Sequence, residues 1–183
     1  MRTLFYSSLR WAGLLAIVGG ALSGCLNPPD YSDTPSIDNA RVSFQQRLTG
    51  NLGTRDSLVL TVSYQDGTGD LGLSTTDNTG VYDYMNGTNR NYFNYFLQPY
   101  VKDAQGNFQP RFTSAPGEYN GRFPRITADG TKEAPVKGDL RYSQSFGLGS
   151  PFRPGDVVHF VISIQDRALH ESNQVTTNDI TIP

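Results

Sequence analysis

The stretch VVHFVISIQD, residues 157–166, decides the fold. Its side chains alternate, so one face collects large apolar residues, namely Val158, Phe160, Ile162 and Ile164. An alternation with a period of two is typical of a β-strand with one face in a core. The segment LVLTVSYQD, residues 58–66, alternates in the same way and also ends in Ser-x-Gln-Asp. The chain thus contains two similar strands that end on the same acidic residue type.

Other short β-branched and aromatic runs are separated by clusters of Gly, Pro, Asn and Asp, and no segment after Cys25 has helical periodicity. The predicted strands are residues 37–48, 58–65, 91–101, 108–112, 117–126, 136–146, 157–165 and 175–182. This pattern predicts an all-β fold, an antiparallel two-layer β-sandwich of seven to eight strands, Ig-like or fibronectin-like. A β-barrel is the alternative.

The repeated Asp ending predicts a shared site. In an Ig-type sandwich the second and penultimate strands lie in opposite sheets and run in the same sense, so their C-terminal ends share a pole. We therefore expect Asp66 and Asp166 to lie close together. Two neighbouring carboxylates raise each other's pKa unless a cation neutralises them.

The loop after the second predicted strand favours calcium as that cation. Its sequence DGTGDLG, residues 66–72, adds Asp70 and resembles the D-G-D-G-D-x-G loops of calcium-binding repeats, with Thr68 where aspartate is usual. Calcium prefers carboxylate and carbonyl oxygens. We expect a Ca²⁺ site with ligands drawn from Asp66, Asp70, Asp166, Glu171 and Asn173. The alternative is that these aspartates only cap turns.

The N-terminus predicts export and a lipid anchor. Arg2 and Arg10 form a positive segment before an apolar run that extends from Trp11 to Leu22, which is the layout of a secretory signal peptide over residues 1–24. The sequence LSGC that closes this run resembles the bacterial lipobox. The resemblance implies cleavage before Cys25 and covalent lipid on it, with membrane attachment. Cys25 is the single cysteine, so no intramolecular disulfide can form.

The predicted organisation after the signal peptide has two parts. A lipidated cysteine and flexible, Pro-rich tether occupy residues 25–36, and the β-sandwich domain occupies residues 37–183. A leucine follows Cys25, as expected for an outer-membrane lipoprotein of the cell envelope. The mature chain has a formal charge of −4 (13 basic minus 17 acidic residues) and no basic run, so we expect no nucleic-acid partner.

The catalytic motifs of common enzyme classes are absent. The sequence has two histidines, one cysteine, no Gly-x-Ser-x-Gly and no glycine-rich phosphate loop. We therefore expect a binding or interaction role without catalysis. Because glycosidases need only two carboxylates, a small glycoside hydrolase remains an alternative.

The segment GEYNGRFPRITADG, residues 117–130, is the best sequence candidate for ligand binding. Aromatic rings stack on sugars and pack against partner proteins. We expect Tyr119, Arg122, Phe123 and Arg125 to form an exposed recognition loop for a glycan or an envelope protein. A glycan ligand would make the protein an accessory lipoprotein of a polysaccharide-uptake system.

Two resemblances agree with this interpretation. The tail ISIQDRALHESNQV is similar to the V-x-D-x-A-G-N-x-S pattern that ends many bacterial Ig-like surface domains, although His170 departs from it. The mature chain also resembles a group of Bacteroidetes-type lipoproteins with an Ig-like domain, through SYQDGTGDLGL, GRFPRI and SIQDRAL. That resemblance implies an envelope location and no particular activity.

Overall fold

A computed structural model describes residues 29–51, 53–128 and 130–183. Cys25 and the predicted signal peptide lie outside the described residues. The strands are β1 (Ser36–Gly50), β2 (Gly53–Asp66), β3 (Tyr95–Lys102), β4 (Phe108–Pro110), β5 (Val136–Gly147), β6 (Val157–Ile164), β7 (Val175–Thr176) and β8 (Ile180–Thr181). Three 3₁₀ turns, Gly80–Tyr82, Met85–Gly87 and Arg90–Tyr92, lie in the long loop between β2 and β3.

The strands form two antiparallel sheets packed as a sandwich, which confirms the predicted fold class. One sheet has the order β1-β2-β5, and the other has the order β4-β3-β6-β7, with β8 also pairing with β6. The predicted second and penultimate strands, β2 and β6, therefore lie in opposite sheets. Their C-terminal ends share one pole, because Leu71, just after β2, forms an isolated β-bridge with Asp166, just after β6.

The two alternating segments supply the centre of the core. Fully buried apolar side chains come from β2 (Leu58, Leu60, Val62) and from β6 (Val158, Phe160, Ile162, Ile164), each 0% exposed. Tyr95 and Leu97 of β3 join them at 1% exposure. Burial of about 1.5–3 kcal/mol for each such side chain makes this cluster the main favourable contribution to folding.

The structure corrects two predicted strands. Residues 117–126 form a loop, in which Gly121 makes a single β-bridge with Tyr95. The loop packs tightly, since a Cβ on Gly121 would lie 2.5 Å from the Tyr142 hydroxyl. The predicted last strand is interrupted between β7 and β8, where Asn178 bonds across to β1 instead of continuing the β6 ladder.

The first and last segments of the domain are joined by two asparagine side chains. Asn173 accepts from the Ile37 N–H (2.9 Å) and donates to the Ile37 carbonyl (2.8 Å). Asn178 makes the same pair of bonds with Val42, at 3.0 and 3.1 Å. Each amide thus occupies the place of a neighbouring strand along β1, which satisfies edge groups that would otherwise be open.

A β-bulge in β1 makes this arrangement compatible with the core. In a regular strand, residues five apart point to opposite faces. Ile37 and Val42 are five apart, yet both are buried at 4% exposure. The register shifts between Asp38 and Arg41, with Asn39 at a φ of +50°, and this extra residue returns Val42 to the core face.

The asparagine contacts should be worth measurable stability. We expect Asn178→Ala to lower the free energy of unfolding by about 1–3 kcal/mol, because it removes two hydrogen bonds at a partly buried edge. Urea unfolding followed by circular dichroism measures the change. Asn107→Ala, in the exposed β3–β4 turn, is the matched control and should change stability little. Equal effects of the two substitutions would contradict the bridging role.

Candidate metal centre

Three aspartates meet at the pole where β2 and β6 end. Asp66 is the last residue of β2, Asp70 lies four residues later, and Asp166 follows β6. One carboxylate oxygen from each lies within 4.8 Å of the others. The prediction that Asp66 and Asp166 come together is therefore confirmed, and Asp70 joins them. Because the two strands belong to different sheets, the cluster exists only in the closed sandwich.

The loop after β2 folds around the Asp66 side chain. Asp66 Oδ2 accepts from the backbone N–H of Gly69 (2.6 Å) and Asp70 (3.2 Å), and from the Thr68 hydroxyl (3.3 Å). Gly69 has a φ of +70°, and a Cβ there would lie 2.5 Å from the Ala134 carbonyl oxygen. Glycine is therefore required at this position by both backbone conformation and space.

The same loop binds the N-terminal segment. The Gly67 N–H donates to the Ser32 carbonyl at 2.8 Å. A Cβ on Gly67 would lie 2.4 Å from the Tyr31 carbonyl oxygen, so the two backbones are in direct contact. Residues 31–32, within the segment predicted as a tether, thus lie against the loop that follows β2.

The Asp66 carboxylate is the electrostatically costly group of the site. Its residue is 0% exposed, and Oδ1 has no hydrogen-bond partner among the described residues. Burial raises the pKa of Asp66, and the nearby charges of Asp70 and Asp166 raise it further, while the bond from Gly69 opposes them. A buried carboxylate oxygen without a partner destabilises the fold unless a proton or a cation binds it.

The other two aspartates are held by the loop after β6. Asp166, 2% exposed, accepts from the His170 N–H at 2.7 Å, and its second oxygen lies 2.9 Å from His170 Nδ1. Burial raises the pKa of Asp166, and the Asp166 carboxylate raises the pKa of His170. Asp70 accepts from the Thr68 hydroxyl at 2.8 Å and from the Ala168 N–H at 3.1 Å.

This arrangement suits a hard cation. The three carboxylates supply up to three negative charges in a small, largely buried volume, and carboxylate oxygens are the ligands that Ca²⁺ prefers. Among the oxygens of the triad, Asp66 Oδ1 is the buried one to which no described residue donates. A bound cation would neutralise the cluster and give this oxygen a partner.

Glu171 and Asn173 do not join the cluster, which corrects that part of the prediction. Glu171 binds Arg90 at 2.8 Å and accepts from the Ser163 hydroxyl at 2.6 Å. Asn173 uses its amide to bind the Ile37 backbone. Each side chain is held by these other partners, Glu171 by Arg90 and Ser163 and Asn173 by the β1 backbone.

The predicted recognition loop is only partly exposed: Phe123 is buried, and Tyr119, Arg122 and Arg125 are half-buried. Phe123 is 8% exposed and belongs to the core cluster, and the Tyr119 ring packs edge-on against Phe146 at 5.1 Å. The apolar rings of this segment close the side of the sandwich, a role that alternation alone did not indicate.

The two arginines of that segment are also engaged. Arg125 forms an ion pair with Asp77 at 2.6 Å, and Arg122 donates to the carbonyls of Ser74 and Asp77 at 2.8 Å. Their guanidinium groups fasten this segment to the β2–β3 loop. A ligand-binding role of these residues stays a prediction.

Sequence reasoning missed the docking of residues 31–32 and the contact between His170 and Asp166. Gly67 and Gly69 were a visible signal for close backbone approach, but the segments that they approach, at Tyr31 and Ala134, lie far away along the chain. The four-residue spacing from Asp166 to His170 was visible, although only the turn geometry brings the two side chains together.

Comparisons with known proteins add little. No family model matches the chain, and no curated protein matches its sequence. A solved structure described as Northeast Structural Genomics Consortium target SoR45 matches with a TM-score of 0.32 and 5% identity, covering 81% of this chain and 86% of that chain. This similarity is too low to support an argument. Among the described residues, no helix is long and apolar enough to span a membrane.

The buried aspartates predict how the free energy of unfolding depends on pH when a chelator removes metal ions. Their folded-state pKa values are raised, so the folded protein binds protons that the unfolded chain does not. The raised pKa of His170 acts in the same direction. The free energy of unfolding should therefore increase as the pH falls from 8 towards about 5, above the usual carboxyl range.

Thermal melts in EDTA across this pH range measure the effect. Asp166→Asn should reduce the slope, because it removes one of the titrating carboxylates. A stability that falls steadily between pH 8 and 5 would contradict the assigned electrostatics.

Proposed function

We propose that this protein is a lipid-anchored cell-envelope protein with a binding or interaction role, whose β-sandwich is stabilised by Ca²⁺ at Asp66, Asp70 and Asp166. The observation that carries the calcium proposal is Asp66 Oδ1, a fully buried carboxylate oxygen without a hydrogen-bond partner among the described residues. Its residue belongs to a triad in which one carboxylate oxygen of each aspartate lies within 4.8 Å of the other two.

The ligand set suggests a modest affinity. Three carboxylates fall short of the about six to eight oxygens that Ca²⁺ takes, so water or backbone carbonyls would complete the shell. Extracellular modules of this kind bind Ca²⁺ with dissociation constants of about 10⁻⁴–10⁻³ M. A site of that strength suits a structural ion in a calcium-rich compartment, which agrees with the export predicted by residues 1–24.

The lipid anchor rests on the LSGC sequence that ends at Cys25. The contact between Ser32 and Gly67 supports a short connection between the anchor and the domain, since the chain is already bound to the domain seven residues after that cysteine. The acidic mature chain and the absence of a basic run agree with an envelope role rather than nucleic-acid binding.

The substitution Asp66→Asn should stabilise the protein in a chelator and should reduce the stabilisation that calcium gives. In EDTA the substitution should raise the free energy of unfolding by about 1 kcal/mol or more, because it removes a buried charge and places an NH₂ donor beside Asp70 and Asp166. In about 10 mM Ca²⁺ the native protein should gain about 1.4 kcal/mol if the dissociation constant is near 1 mM, whereas the variant should gain much less. Chemical unfolding in each condition measures both changes.

Asp103→Asn is the matched control for Asp66→Asn. Asp103 lies at the opposite pole, and backbone N–H groups lower its pKa, so its loss should destabilise the protein equally with and without calcium. If native protein shows no calcium shift, or if Asp66→Asn keeps the full shift, the calcium proposal is wrong.

Cys25→Ser tests the anchor separately. We expect this variant to move from the membrane fraction to the soluble fraction and to lose all incorporation of labelled palmitate, because Cys25 is the only cysteine. Its calcium-dependent stabilisation should be unchanged, since the triad lies within the folded domain. Membrane retention and labelling that survive the substitution would refute the anchor.

A further inference from the structure

The loop between β2 and β3 presents three large apolar side chains to solvent. Val81 is 57% exposed, Tyr84 is 49% exposed and Met85 is 59% exposed. They fall within five consecutive residues of the 3₁₀ turns, and we call them the apolar tip. Single exposed apolar residues are ordinary, whereas a local group of them on one loop indicates a contact surface.

The apolar tip is held in place by specific bonds. The Asn89 side-chain amide donates to the carbonyls of Val81 and Asp83, both at 2.8 Å. The rings of Tyr84 and Tyr92 meet edge-on with centroids 4.8 Å apart. Such restraint lowers the entropy that the loop would lose on binding a surface.

The apolar tip lies at the same pole as the start of the folded chain. The Tyr82 hydroxyl donates to the Arg167 carbonyl, next to Asp166. Ser32 binds Gly67 at this pole, because Gly67 directly follows the end of β2. The apolar tip, the acidic triad and the junction with the anchor segment therefore share one end of the sandwich.

Chain length decides which pole can reach a membrane that holds Cys25. Ser32 lies seven residues after Cys25, and this length of chain spans at most about 25 Å when fully extended. The opposite pole also exposes apolar residues, Leu48 at 48% and Leu148 at 42%. Leu148 binds Thr54, at the far end of β2, so it lies about 43 Å from Gly67 along that strand. With Ser32 docked, the pole with the apolar tip is held within about 25 Å of that membrane, whereas the opposite pole reaches it only when the sandwich lies on its side.

We propose that the apolar tip inserts into the lipid surface that carries Cys25. This inference rests on the proposed lipid anchor. Val81 and Met85 would enter the boundary of the acyl chains, and Tyr84 would place its ring among the headgroups, where amphipathic tyrosines are favoured. The anchor holds the apolar tip at high local concentration near the membrane, so even weak insertion is sufficient to orient the domain.

Tryptophan fluorescence can test the insertion. Trp11 is the only tryptophan and lies in the predicted signal peptide, so Tyr84→Trp provides a single reporter in the mature, acylated protein. The protein is reconstituted in phosphatidylcholine vesicles with and without brominated acyl chains, which quench nearby indole rings. Leu148→Trp, also an exposed apolar position but at the opposite pole, is the matched control. We expect several-fold stronger quenching at position 84 than at position 148.

A second tryptophan variant and a mass measurement of acylation separate failure of insertion from failure of the anchor. Val81→Trp should also be quenched, which guards against a local effect of replacing Tyr84. Quenching at neither 81 nor 84, or equal quenching at 84 and 148, would overturn the proposal, as would quenching that appears only when an envelope protein is added. Mass spectrometry of the same samples reports acylation of Cys25, so an unquenched but acylated protein refutes insertion alone. An unacylated protein refutes the anchor itself and insertion with it.

Discussion

The ends of β2 and β6 bury carboxylates where an apolar sandwich would place aliphatic residues. Asp66 and Asp166 are 0% and 2% exposed, and they lie at the C-terminal ends of strands whose inward side chains are fully buried. Each carboxylate organises the loop that follows it: Asp66 binds the N–H groups of Gly69 and Asp70, and Asp166 binds the N–H of His170. The loops at this pole therefore depend on two charges that the core disfavours.

Asp66 and Asp166 differ in the number of their oxygens that accept hydrogen bonds, and this difference explains the chemistry of the site. Asp166 has a donor for each oxygen, and one of those donors is His170 Nδ1, which can carry a compensating positive charge. In the part of the chain that the structure describes, Asp66 has donors on Oδ2 alone. The core can tolerate the first carboxylate through its own hydrogen bonds, whereas the second requires a proton or an added cation. Asp66 Oδ1 is therefore the atom at which a proton or a cation would bind.

The sequence predicted the fold through β2 and β6, because their alternation is long and uninterrupted, and it predicted the triad through their matching ends. It failed where distant partners determine local structure. Asn178 interrupts the last predicted strand to bind Val42, and the segment around Phe123 forms a loop because its rings enter the core and its arginines bind residues 74–77. Neither outcome is encoded in local periodicity. The oxygen without a donor on Asp66 also required coordinates, since it depends on which N–H groups the loop turns inwards.

Packing at the loop after β2 also determines which contacts depend on the Asp66 carboxylate. The Gly67 backbone touches Tyr31 and binds Ser32, while Gly69, two residues later, donates to Asp66. Any ligand that fixes the Asp66 carboxylate therefore fixes the surface on which the N-terminal segment rests. The Tyr82 hydroxyl joins the β2–β3 loop to the carbonyl of Arg167, whose own N–H donates to the Asp70 carbonyl. The loops after β2 and β6 are thus joined beside the triad, and a change at the Asp66 carboxylate acts on the N-terminal segment and on the β2–β3 loop through connected backbone contacts.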